Sequence, residues 1–374
     1  MNKILLIGLS MLLCFACFTS CDDWTEVESK TLETGDGKSP EYYENLRKWK
    51  AETQHDMAFG WFGFWSGEGT SLGNSMIGLP DSVHVISLWG PWLPHTMTEA
   101  KKKDLKTFQT LKGSKVMVCM FMEYVGQGLT SKNAEGRASW GWTWEHASSG
   151  CKKCVSTDPE ERALQVAAIE KYAEAIADSL KRGGYDGLDI DYEPQSHNAA
   201  ELVSHPENTE VLVRAFSKHF GPKSPNPGTL LAVDGQVEKL TAATIPYLDY
   251  LLYQAYSTPS AYSLNSFATA ISKKYTTETM TTEEVLKKLF VTVNFESYSA
   301  TGGGAFSMTG EDGKTISVNR LEGFARWQPV VDGETYRKGG YGAYHIEKEY
   351  TISGKSGFYP WTRNAIRWVH PPQE

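Results

Sequence analysis

Positive charge is in short supply: 37 Lys and Arg stand against 45 Asp and Glu, a formal net charge of −8. Gripping a nucleic-acid backbone takes clustered Lys and Arg, so this acidic chain excludes nucleic acid as a partner and fits a neutral or weakly charged ligand. Cysteine is scarce too. Of six in 374 residues, Cys14, Cys17 and Cys21 fall within the first 21. That leaves Cys119, Cys151 and Cys154. "CKKC" (151–154) is open to three readings: a redox pair, half of a zinc site with His146 nearby, or a local disulfide. A redox motif opens a helix after a strand, and zinc takes four ligands. An oxidising compartment favours the disulfide. No repeat of short fixed period is present, and the only low-complexity tract is a polar stretch near the N-terminus. With 40% hydrophobic and 22% charged residues, the chain is far from fibrous or disordered compositions.

The N-terminus carries an address. Residues 1–20 have Lys3, an apolar run and small residues, the pattern of a secretory signal. The run is too short and wrongly flanked for a membrane span. "FTSC" resembles a bacterial lipobox, which makes Cys21 the lipidated first residue; several acyl chains on one Cys anchor stably to a membrane. Residues 21–38 then read as anchor and polar tether, and 39–374 as a single domain. That domain opens on a helix with Ser39 as N-cap and Pro40 at its first position.

Thereafter short apolar runs alternate with helical or long connecting stretches. Strand candidates are 57–65, 82–90, 115–123, 187–193, 229–235, 248–257, 289–297 and 339–347. The clearest helix follows Asp158 as cap, with Ile169, Tyr172, Ile176 and Leu180 on one face. Alternation of this kind predicts an α/β fold with parallel strands, and eight is the number that closes into a (β/α)₈ TIM barrel.

One strand is unlike the rest. "GGYDGLDIDYEP" (183–194) holds Asp186, Asp189, Asp191 and Glu193 among Leu188, Ile190 and Tyr192. Alternate residues of a strand share a face. Asp189, Asp191 and Glu193 therefore point one way, into the barrel, and the apolar set packs outward under the helices. Glu193 comes last, at the C-terminal end where barrel enzymes place their chemistry. Carboxylates stacked this closely cannot all ionise cheaply, so at least one must hold a proton near neutral pH. A solvated acidic edge would not explain the apolar partners or the amphipathic helix before it.

"DGLDIDYE" resembles the DGxDxDxE signature of glycoside hydrolase family 18, the chitinases and endo-β-N-acetylglucosaminidases. The position of the motif on the fourth of eight strands extends the resemblance to most of the mature chain. It implies substrate-assisted retention, a known exception to the two-carboxylate rule. Glu193 would protonate the leaving oxygen, and the sugar's own acetamido group would attack to give an oxazolinium. Asp191 would hold the acetamido N–H, and Asp189 would tune Asp191 by sharing a proton or a hydrogen bond. Asp186, near the strand entry, is the motif's first acid; a structural hydrogen-bonding role is expected of it, and it is also carried among the substrate-binding candidates. The reaction needs a 2-acetamido sugar, no cofactor and no metal. With the lipoprotein leader, the whole resembles surface enzymes of gut Bacteroidetes that trim N-glycans. That implies an outer-membrane, cell-surface location, N-glycan or glycoprotein substrates, and other glycan-uptake surface proteins as partners.

The family places a tyrosine at the end of the sixth strand, and "YQAYS" supplies Tyr256 with Gln254 on the same face. The SxGG of chitinases is absent from the third strand, and Tyr344 stands on the eighth where a chitinase has Trp. Both departures favour the endo-β-N-acetylglucosaminidase branch over a chitinase; they leave open a binding-only protein, against which the intact Glu193 argues. Aromatics make up 12% of the chain. Trp65 and Phe64 end the first strand, Trp89 and Trp92 follow the second, and Trp140, Trp142 and Trp144 follow the third. These predict an aromatic-lined cleft, with Asn294, Glu296 and His345 as further strand-end candidates.

Overall fold

All eight apolar segments form strands, joined in parallel: β1 Met57–Phe62, β2 Val83–Leu88, β3 Lys115–Phe121, β4 Gly187–Tyr192, β5 Leu230–Gly235, β6 Tyr250–Tyr253, β7 Leu289–Asn294 and β8 Gly340–Tyr344. They close in the order β1-β8-β7-β6-β5-β4-β3-β2, so no strand edge is left open. The structure is a computed structural model and describes residues 38–52, 54–144, 151–196 and 200–370. The leader, Cys21, most of the tether and His146 lie outside the described residues. Among the described residues no helix is long and apolar enough to cross a membrane.

Local chemistry sets the helix ends. Ser39 Oγ accepts the Tyr42 N–H at 3.1 Å at the start of Pro40–Ala51. Asp158 Oδ1 accepts the Glu160 and Glu161 N–H groups at 3.0 and 2.9 Å, opening the 25-residue helix Pro159–Gly183. That helix buries Ile169, Tyr172, Ile176 and Leu180 and stops at Gly184, whose φ of 78° glycine adopts without steric cost. Not every connection is helical: β5 and β6 are joined by the short turns Val237–Lys239 and Ala242–Tyr247. Between β7 and β8 the chain inserts a hairpin, Ala305–Thr309 with Thr315–Asn319.

The strand faces sort as alternation requires. Leu188, Ile190 and Tyr192 pack outward in the large cluster shared with the helices. Inside the barrel lie Phe59, Trp61, Val85, Met117, Cys119, Ala232, Leu252 and Phe290. Cys151 and Cys154 form a disulfide, which settles the three readings of that pair. Cys119 is a free thiol buried in the barrel.

Candidate active site

The inward face of β4 carries three acids up towards the mouth. Asp189, fully buried, accepts on Oδ2 from Trp61 Nε1 of β1 and Ser87 Oγ of β2, both at 2.8 Å. Asp191, one step higher, is 3% exposed, and no N–H or O–H donor reaches its Oδ1. Glu193 follows just past the strand end and lines the open pocket.

A fourth acid joins from the next strand. In the register of β4 with β5, Asp191 pairs with Asp234. Asp234 is 1% exposed. Its Oδ1 accepts from Gln254 Nε2 at 2.9 Å, and its Oδ2 accepts from the Cys119 thiol at 3.3 Å. One of its oxygens lies within 4.8 Å of an Asp191 oxygen, too close for both carboxyls to ionise cheaply, so the pair holds a proton between them. The sequence reading missed Asp234 and Cys119. An Asp closing the apolar run "LLAVD" was the available signal.

Burial dominates the electrostatics. It raises Asp189 to about 6, against the hydrogen bonds from Ser87 and Trp61. It raises Asp191 to about 8, with the charges of Glu193 and Asp189 adding to the effect. Asp234 is pushed well above the usual carboxylate range by burial and then by the charges of Asp191 and Asp189. Burial likewise pushes the Tyr256 hydroxyl up, so it stays a neutral donor. Asp189 influences Asp191 through charge, while its Oδ2 accepts from Trp61 and Ser87. Cys119, Asp191 and Asp234 offer ligand atoms within 4.8 Å of one another. Burial raises the Cys119 thiol well above its ordinary value, so the thiol donates to Asp234.

Above this floor opens a pocket of about 150 Å³. Its walls are Trp61, Trp89, Phe121, Tyr256 and Tyr344; its polar groups are Asp191, Glu193, Asp234, Gln254 and Cys119. Tyr344 anchors the aromatic ring of walls, with Tyr256 stacked 6.0 Å away and Trp89 edge-on at 5.8 Å. A second cleft of about 310 Å³ lies beside it, lined by Ser196, Gln236, Glu238 and Tyr253. Glu193 and Gln254 line both. Gly235 makes this crowding possible: a Cβ there would lie 2.6 Å from Tyr192 O and 3.2 Å from Glu193 Cγ.

The pocket thus gathers Glu193, Asp191, Tyr256, Gln254, Trp89 and Tyr344 over Asp189. Other candidates need correction. Asp186 sits at the foot of β4, where it accepts from Gln109 Nε2, Lys115 Nζ and the Val116 N–H at 2.8 to 3.0 Å. It therefore braces the strand, the structural role expected of it, and lines neither of the two clefts. Trp65 is 9% exposed and donates its indole N–H to Asp104 at 2.8 Å; its ring belongs to the outer core. Trp142 is 1% exposed and packs edge-on against Trp144, so its face is closed to a sugar. Asn294 uses its side-chain oxygen to cap the turn Phe295–Tyr298, accepting the Ser297 N–H at 2.9 Å. His345 is buried against Glu347, while Phe64 stays 64% exposed.

Comparison with known proteins bears on this geometry. Residues 25–368 match the family described as glycoside hydrolase family 18, BT1044-like. The solved structure of BT1044, a selenomethionine protein with one Glu-to-Gln change, is 27% identical. It covers 89% of this chain and 93% of its own, with a TM-score of 0.71. An endo-β-N-acetylglucosaminidase from Cordyceps militaris shares the fold at 21% identity, covering 89% and 97% of the two chains with a TM-score of 0.57. An endo-β-N-acetylglucosaminidase of Bifidobacterium longum subsp. infantis is 32% identical over 108 residues. That match takes in 28% of this chain and only 18% of the relative's length.

Proposed function

This chain belongs to glycoside hydrolase family 18, and from that premise we propose that it is an endo-β-N-acetylglucosaminidase cleaving the GlcNAc-β1,4-GlcNAc core bond of N-glycans. One observation carries the reading. Glu193 stands on the wall common to two clefts, with Asp191 at the base of the first. A sugar in the aromatic pocket and its leaving group in the polar cleft would place the bond between them within reach of the Glu193 carboxyl.

The steps follow from the groups present. Glu193 delivers its proton to the glycosidic oxygen as that bond breaks. The acetamido carbonyl oxygen of the pocket sugar attacks the anomeric carbon from the opposite face. Tyr256 donates its hydroxyl to hold that carbonyl, and Asp191 accepts the acetamido N–H, balancing the charge of the oxazolinium. Glu193, now a carboxylate, draws a proton from water, which opens the oxazolinium with overall retention. Gln254, fixed by Asp234, offers its remaining N–H to the sugar. The aromatic walls exclude water and stack on the sugar's apolar face.

The test is a panel of glycoproteins bearing high-mannose, hybrid and complex glycans, read by mass spectrometry. A single GlcNAc left on asparagine is the expected product. Chitobiose release from chitin oligomers, with N-glycans untouched, would replace this reading with a chitinase; retention without cleavage would replace it with a binding protein.

The leader supports a second part of the proposal: lipidation at Cys21, anchoring in the outer membrane and work at the cell surface on glycoproteins, beside other glycan-uptake proteins. Metabolic labelling with a fatty acid should mark the wild-type chain and not Cys21→Ala.

A further inference from the structure

Asp234 enters the pocket from outside the acidic motif, and its surroundings differ from those of the motif acids. Asp189 Oδ2 is held by an indole N–H and a hydroxyl, two good donors on rigid strands that favour its anion. Asp234 receives one amide N–H and one thiol S–H, and a thiol is a weak donor. Among the described residues no N–H or O–H donor reaches Asp191 Oδ1, yet Asp191 must be ionised when it faces an oxazolinium. The titratable groups around the pair are Asp189 and Glu193 from β4, Cys119 from β3, Tyr256 beyond β6 and Tyr344 on β8. None of them is a cation. With Tyr256 committed to the acetamido carbonyl, the donor left for Asp191 is a carboxyl proton, and Asp234, its direct partner in the strand register with an oxygen within 4.8 Å, is placed to supply it.

Resting on the hydrolase reading above, we propose that Asp234 is a positioning residue that stays a neutral carboxylic acid while Asp191 reacts. Its O–H donates to Asp191 and holds it as an oriented anion. Where the pair's proton rests on Asp191 in the free enzyme, with Asp234 then the anion, it passes to Asp234 as the acetamido N–H arrives: one O–H bond breaks on Asp191, one forms on Asp234, and the total charge is unchanged. A carboxylic acid kept neutral by burial so that it can donate is an established device in enzymes. Burial pushes Asp234 in the required direction.

Three measurements test the assignment. In infrared spectra of wild type minus variant near neutral pH, a protonated-carboxyl band should be lost in Asp234→Asn and kept in Asp191→Asn; the reverse pattern overturns the proposal. In kinetics on a glycopeptide that the wild type cleaves, Asp234→Ala should lower kcat about 100-fold with KM within about threefold. Asp234→Asn, which supplies a permanent N–H donor and still accepts from Gln254, should restore most of kcat. A change in KM alone, or no rescue by Asn, overturns the proposal. Should the Asp234 variants fail to fold, Cys119→Ser serves: a hydroxyl stabilises the Asp234 anion better than a thiol, so the alkaline limb of kcat should move to lower pH. An unmoved limb overturns the inference and leaves the function standing. No cleavage by the wild-type chain overturns both.

Discussion

Asp186 and Asp191 lie five residues apart on one short segment, yet the foot and the mouth of the barrel treat the same side chain in opposite ways. At the foot, Asp186 accepts from Lys115, Gln109 and a backbone N–H. Elsewhere at the foot, buried Asp56 meets buried Lys338, whose ammonium also donates to Ala325 O and Trp327 O at 3.0 and 2.7 Å. Charge there is answered by opposite charge or by donors. At the mouth, Asp191 is buried as deeply and is answered only by other acids. The foot is built to stay closed. The mouth holds unmet electrostatic demand that a positively charged intermediate would satisfy. Burial alone does not separate a structural acid from a reacting one; the partners do.

The sharpest way to break this contrast is to remove the proton donor. Glu193→Gln should lower kcat by about 10³-fold or more while glycan binding survives, measured by turnover and calorimetry. Wild-type turnover in that variant would remove Glu193 from the chemistry.

Next comes Asp191→Asn, which should slow oxazolinium formation by about 100-fold and at the same time stabilise the fold. Between the ordinary aspartate value, about 3.9, and about 8, the folded chain holds a proton that the unfolded chain has released. Stability therefore falls as pH rises through that window. Differential scanning calorimetry should find the variant's advantage in Tm growing from pH 5 to pH 8; a constant gap would mean that Asp191 carries no raised acidity constant.

At the foot the expected effects are thermodynamic. Asp186→Ala leaves three donors unmet and should cost about 2 kcal/mol, seen as a Tm lower by several degrees, with kcat of the folded protein unchanged. Lost turnover at unchanged stability would erase the distinction between the two ends.

The smallest expected effect is a slope of opposite sign. His55, His84 and His370 cluster at the foot around Trp49. His84 Nδ1 accepts the Ala58 N–H, so its neutral form donates from Nε2 to His55 Nε2, 2.9 Å away. Adding a proton to either ring puts two donors face to face. Burial lowers His55 to about 4 and lowers His84 and His370 as well. Unfolded histidines bind protons below about 6.5, so this cluster loses stability as pH falls from there to about 4. The two ends oppose each other in that window, and Asp191→Asn should uncover the histidine slope in a Tm-against-pH series.

Much of this was legible beforehand, because some rules are local. Ser39 and Asp158 cap helices through their own neighbours' N–H groups. The apolar and acidic positions of 188–193 alternate with the pleat, which already put Glu193, Asp191 and Asp189 on one face. The eight strand segments were readable, although most of their C-terminal ends ran two or three residues long, since apolar residues continue into loops. Aromatic roles were not readable. Trp65 and Trp142 sit in loops as Trp89 does, and nothing in the chain nearby says that Asp104 will take the Trp65 N–H or that Trp144 will cover Trp142.

The sequence by itself determined the barrel's elements, the face each side chain of β4 takes, and the chemistry its acids resemble. Only the tertiary structure decided that Asp234 stands beside Asp191, that the Cys119 thiol reaches it, and that Asp186 turns to Lys115. The physical reason is that side-chain alternation is fixed within a strand by backbone geometry. Which residue lies opposite is fixed by the register in which eight strands close, a property of the whole barrel.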